Sequence, residues 1–145
     1  MALSTIASEQ MKGTQKSMAK TVQLLGYLVT HPNATVRFHA SNMILNIHLE
    51  ALYLSEANAH SRACGHFFMG WHANPTKPTK LNGAFFTLCA ILHFVIASAA
   101  EAELGALFLN CKQASIFRLT LEEMGHPQPP TPIHCDNSTA LWHRE

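Results

Sequence analysis

Two short segments carry the chain's most chemically suggestive carboxylates. Glu101 and Glu103 lie in Ser98-Ala99-Ala100-Glu101-Ala102-Glu103-Leu104, and Asp136 lies in Ile133-His134-Cys135-Asp136-Asn137-Ser138. In each segment a carboxylate stands where a hydrophobic run gives way to a helix-forming stretch, a junction that holds a side chain rigidly. Convergent carboxylate oxygens suit hard divalent cations such as Mg2+, and phosphodiester chemistry through such ions requires them on rigid elements. The same residues have plain structural roles open to them. Acidic residues in a first helical turn complement the helix dipole, and Asp136-Asn137-Ser138 is also a helix N-cap sequence.

Ten His and four Cys (Cys64, Cys89, Cys111 and Cys135) raise zinc as a second chemistry. Structural zinc sites draw on Cys or His pairs separated by about two to four residues. Cys64 with His66, and His134 with Cys135, come nearest to that pattern. Neighbouring residues of a strand point to opposite faces, which disfavours His134 and Cys135 as a pair. The scattered His read as surface or core residues. Without a C-x-x-C pair or an opening secretory signal, the Cys read as thiols of an intracellular protein, cytoplasmic or nuclear.

The elements that would position these groups follow from periodicity. Met18, Val22, Leu25, Leu28 and Val29 recur at helical steps within Ser4 to Thr30, giving one apolar stripe. Gly13-Thr14 separates a short first helix from a longer one, and His31-Pro32 stops the second. Asn33 to Ser41 reads as a loop, Met43 to Leu49 as a first strand, Ser55 to Ser61 as a polar turn and Arg62 to Met69 as a second strand. Asn74 to Thr79 is a loop, and a third strand fills Ala84 to Ile96 with a break near Cys89. A helix starts at Ser98 or Ala99 and carries Leu104, Leu107, Phe108 and Cys111 at helical spacing. Ser115 to Met124 continues it as a second helical stretch, the two making one long helix that ends at Gly125-His126-Pro127. Thr131 to Cys135 reads as a short strand, with Pro132 tolerable only at its start. A last helix begins at Ser138. Three sequential strands joined by turns predict an antiparallel meander, and the helical crossover then returns a fourth strand parallel to the first.

At 145 residues the chain is long enough to bury one usable core. Only 13% of its residues are charged, well under the roughly 25% of ordinary soluble domains, so a surface that touches other protein is expected. A net charge of +1 is a poor footprint for independent, tight binding of nucleic acid. The eighteen residues from Gly83 to Ala100 hold a single strongly polar residue, His93, and by length could span a membrane. Their Phe, Val, Ile and Thr content and the two Glu that follow fit a buried strand and helix start better.

The segments around Glu103 and Asp136, together with Lys20 to Leu28, Met43 to Tyr53 and Ser61 to Gly70, resemble the ribonuclease H region of copia-type retrotransposon polyproteins. The likeness runs in order from about Leu3 to about Ala140. It implies an α/β ribonuclease H-like domain over residues 41–145, truncated before its final strand and helix, with residues 1–40 as the helices that connect it to the polymerase part of the polyprotein. The implied activity is cleavage of RNA in an RNA–DNA hybrid through two Mg2+ (or Mn2+) ions about 3.5–4 Å apart. The implied metal ligands are Glu50, in Leu49-Glu50-Ala51-Leu52-Tyr53 where the family has Ser-Asp-Ala-Ser-Tyr; Glu103, the later Glu of Glu-Ala-Glu; and Asp136 of Cys-Asp-Asn. His134 and Asn137 are implied only as neighbours of that set. Arg62, Lys77, Lys80, Lys112 and Arg118 are the cations that could meet a hybrid's phosphates, with solvated surface charge as the ordinary alternative.

The chain departs from the family pattern in ways that bear on chemistry. Glu50 adds a methylene to the expected Asp, which moves its oxygens by roughly 1.5 Å, and a catalytic group misplaced by about 1 Å costs on the order of a hundredfold in rate. Outside the resemblance, Glu50 is simply a strand-end residue. Leu49 and Leu52 replace hydroxyls that orient ligands or water, Cys64 replaces a Gly, and a fourth Asp expected beyond the last strand is not reached. Activity is therefore expected to be weak or lost. The alternatives are a non-enzymatic fold remnant acting by protein contact through the Met18 to Val29 stripe, and a small membrane protein using residues 83–100.

Overall fold

The computed structural model describes residues 2–72, 76 and 79–136. The chain divides into two compact units, Met1–Val36 and Arg37–Glu145.

The first unit is a helix pair. Helix α1, Ala2–Glu9, runs into a single tight turn over Gln10–Lys12, and helix α2 spans Gln15–Thr30. The break falls at Gly13-Thr14 because Thr14 caps α2: its hydroxyl accepts from the Ser17 amide at 3.2 Å while Ser17 Oγ receives the Thr14 amide at 3.4 Å. These reciprocal bonds satisfy amides that the helix start leaves open. Glu9, ending α1, accepts from Ser17 Oγ at 2.7 Å and pairs with Lys20, so the first helix is tied to the first turns of the second. Neither helix buries a residue.

The second unit is a sheet crossed by one long helix. Strands β1 (Ile44–Leu52), β2 (Ser61–Gly70), β3 (Ala84–Leu92) and β4 (Ile133–His134) lie in the order β3-β2-β1-β4, with helix α3 over Ala99–Glu123. β2 is antiparallel to both β1 and β3, and β4 is parallel to β1. The architecture is therefore α/β with a mixed four-stranded sheet, as the element order predicts.

Several boundaries differ from the sequence reading. β1 continues to Leu52, where its pairing with Arg62 carries the ladder past Leu49. β3 stops at Leu92, because the chain turns at the sheet's end to bury Ile96 beside Leu92 in the core while Phe94 and Val95 stay exposed. α3 is one uninterrupted helix, as the element order predicts; the residues joining its two periodic stretches, Lys112-Gln113-Ala114, include no helix breaker. β4 is only two residues long, Pro132 preceding it with its carbonyl accepting from the Ile47 amide at 3.1 Å. The helix expected from Ser138 lies outside the described residues.

One sheet face packs under α3. Leu49, Ala63, Leu92 and Ile96 meet Ala102 and Ala106 near the helix start, and Leu45, Ile47 and Phe67 meet Ala114 and Leu121 further along. Small side chains on the helix let it approach closely, and Gly65 takes the contact furthest. A Cβ there would fall 1.8 Å from Oδ1 of Asn110, a fully buried side chain that donates to the carbonyls of Ala106 and Cys64.

Side chains also do what longer strands would have done. Gln128 accepts from the Leu45 amide and donates to the Met43 carbonyl, both at 2.9 Å, extending the edge of β1 toward β4. Arg118 donates to the carbonyls of Pro129 and Gln128 and to Thr131 Oγ1, which clamps the proline-rich segment onto α3. Asn82 bonds the backbone of His39, Met69 and Gly83 and so fixes the start of β3. Residues 83–100 hold β3, a connection and the start of α3. Among the described residues no helix is long and apolar enough to cross a membrane.

Candidate metal centre

Ser98 starts α3 by accepting from the Glu101 amide at 3.2 Å, and the Glu101 carboxylate folds back to receive the Ala97 amide at 2.6 Å. Glu101 is thereby engaged with the backbone at the helix start. Glu103, two residues on, points inward and is 6% exposed. A buried carboxylate requires a partner, and Cys135 provides one, its thiol donating to Glu103 Oε2 at 3.2 Å.

The parallel pairing of Ile47 with Ile133 and of His48 with His134 carries Cys135 and Asp136 to the helix start. One ligand atom each from Glu103, Cys135 and Asp136 lies within 4.8 Å of the others. Two carboxylates and a thiol can together hold a divalent ion, with Glu103 buried, Cys135 half-buried and Asp136 open to solvent. Oxygen donors favour Mg2+ or Mn2+; a thiolate shifts the preference toward softer ions such as Zn2+.

Two of the three ligands expected from the sequence are thus brought together, and Glu50 is not part of the group. Strand alternation gives the reason. Leu49 enters the core beneath Ala102 and Ala106, so Glu50 leaves the sheet on the opposite face, exposed and paired in register with Cys64. Cys135, weighed in the sequence only as half of a zinc pair, is the member that sequence reasoning did not place with the carboxylates. Its adjacency to Asp136 was visible; the parallel register that turns it toward α3 was not.

That alternation also separates His134 from Cys135. His134 stacks on His48 with ring centroids 4.5 Å apart, and His48 is the register partner of His66. These imidazoles form a row on the sheet face away from α3. Burial, then the neighbouring His134 and His66, hold the His48 pKa below its ordinary value, and burial does the same for His134. His48 Nε2 is buried and has no hydrogen-bond partner among the described residues.

The cations named as phosphate contacts are mostly engaged elsewhere. Arg62, 1% exposed, pairs with Glu56 at 2.6 Å, and Arg118 serves the clamp described above. Lys80 sits 4.6 Å over the Trp71 ring, Lys112 is exposed, and Lys77 lies outside the described residues. In comparisons with known proteins the chain matches no family model, no curated protein and no solved structure.

Proposed function

We propose that residues 37–145 form a ribonuclease H-like unit derived from the reverse transcriptase polyprotein of a copia-type retrotransposon. Its ancestral reaction is Mg2+- or Mn2+-dependent cleavage of RNA in RNA–DNA hybrids, and its present activity is weak or lost. The observation that carries this reading is the meeting of Glu103 and Asp136, which lie 33 positions apart along the chain yet offer ligand atoms to one small volume. The mixed sheet with a helical crossover supports it as the scaffold that the resemblance implies. Glu50, facing away from that volume, supports impaired activity, since a two-ion mechanism then lacks one of its carboxylates.

In this reading Glu103 and Asp136 hold the ion and Glu50 is an ancestral ligand that no longer converges. The bound ion would polarise a phosphate oxygen and activate water; the chain's own contribution is to hold the carboxylates on α3 and after β4. The test is thermal unfolding with and without Mn2+ or Mg2+, followed by hybrid cleavage. A ligand present at about 100 times its Kd stabilises the native state by roughly 2.7 kcal/mol, so the wild-type Tm should rise by roughly 10 °C and that of Glu103→Gln should not. A wild-type melt indifferent to both ions removes the metal centre. Ordinary turnover on hybrid that Glu103→Gln abolishes removes the assignment of impaired activity.

A further inference from the structure

β2 and β3 each contribute one cysteine to the sheet face opposite α3. Cys64 and Cys89 are partners in the antiparallel register, and their Sγ atoms lie 3.8 Å apart. Directly opposed residues in such a ladder have Cα atoms about 4.5–5.5 Å apart, inside the span of roughly 4.4–6.8 Å that disulfides bridge. Closing the sulfurs to a bond of about 2.05 Å therefore calls for side-chain rotation and leaves the strands in place.

The surroundings make the two thiols unequal. Arg62 directs Nε to Glu56 at 2.6 Å and Nη1 to Cys89 Sγ at 3.6 Å. A guanidinium beside a sulfur favours the thiolate, which marks Cys89 as the nucleophile. Cys64 faces Glu50 across β1, and burial, then the neighbouring Cys89, push its thiol up to about 11. Cys64 is the protonated partner suited to the second step.

We propose that Cys64 and Cys89 form a reversible cross-strand disulfide by exchange with a small disulfide of the glutathione class. The Cys89 thiolate attacks one sulfur of oxidised glutathione; that S–S bond breaks and one glutathione leaves as a thiolate. Cys64 gives up its proton to the departing sulfur and attacks Cys89 Sγ, breaking the mixed disulfide and releasing the second glutathione as a thiol. Two protein thiols are oxidised by two electrons, and one glutathione disulfide is reduced to two thiols. Neither sulfur belongs to the Glu103 centre, so this chemistry stands or falls independently of metal binding.

The test uses the full chain, reduced and then incubated with oxidised glutathione at about pH 8, where a thiol of ordinary pKa is partly ionised. After acid quench and alkylation, a non-reducing peptide map should show Cys64 joined to Cys89. Melting should shift upward by roughly 10 °C and return on reduction. In Cys64→Ser the reaction should stop at a stable glutathione adduct on Cys89. A stable adduct on Cys89 in the wild type, a bond to Cys111 or Cys135, or no modification overturns the proposal. The wild-type map decides by itself, so the conclusion does not depend on whether the variant folds.

Discussion

A thiol among carboxylates would alter which ions the Glu103 group holds. Thiolate binds Cd2+ and Zn2+ far better than Mg2+, so at equal concentration Cd2+ should raise the melting temperature more than Mg2+ does. Cys135→Ser replaces the soft donor with a hydroxyl and should remove most of the Cd2+ shift while sparing that of Mg2+; an unchanged Cd2+ shift would show that Cys135 is not a ligand. His48 gives a second prediction at this scale. Its folded pKa is depressed, so below about pH 6.5 the unfolded chain takes up a proton that the folded chain resists. Stability from this group is therefore complete above that pH and falls on acidification toward the lowered folded value. His134 adds in the same direction. Between about pH 7 and 5 the wild type should lose more Tm than His48→Phe; equal losses would place the acid sensitivity elsewhere. Glu103 and Asp136 could be singled out in the sequence because each stands where a hydrophobic run gives way to a helix-forming stretch. The placement of Glu50 and Cys135 was not, since it depends on which face each strand turns toward α3, and one residue of alternation decides it.

The start of α3 is the element on which the candidate site depends most. Ser98 caps the turn that carries Glu103, so Ser98→Ala should cost about 1 kcal/mol of stability, read from chemical denaturation. If the cap also positions the ligand, metal stabilisation should drop with it, and an unchanged metal response would confine Ser98 to a structural role. Strand and helix identities were readable because hydrophobic runs and turn residues alternate clearly along the chain. Their limits were less so. The continuity of α3 was readable because Lys112-Gln113-Ala114 carries no stop signal, whereas the end of β3 is set by Ile96 reaching into the core, a tertiary demand with no mark in the sequence. α3 also exposes Leu104, Phe108, Ile116 and Leu119 on its outer side, so its apolar residues do not form one stripe, and periodicity alone could not assign the buried face. The Arg118 and Gln128 bonds were equally hidden, because their backbone partners become neighbours only after the crossover is made.

At the scale of the molecule, every buried hydrophobic residue among the described residues lies in the Arg37–Glu145 unit. Short helices without buried contacts are marginal in water. Hydrogen exchange should therefore protect amides of β1, β2 and α3 strongly while those of α1 and α2 exchange orders of magnitude faster; equal protection in both units would contradict a core confined to the second. The order of elements was legible from the first residue to β4, and with it the mixed sheet, since a meander followed by a helical crossover leaves few arrangements of strands. The two units divide between Val36 and Arg37, inside the Asn33 to Ser41 segment that reads as a loop in the sequence. The position of β4 has a kinetic meaning. β1, β2 and β3 each pair with the next strand in sequence, but Ile133 must find Ile47 across most of the chain. Such long-range closure is entropically expensive and slow. The meander can form first, α3 can cover it next, and two residues of parallel ladder complete the unit. If β4 docks last, Cys135 and Asp136 reach Glu103 only in that step, and an ion held by the three would report that the chain has finished folding.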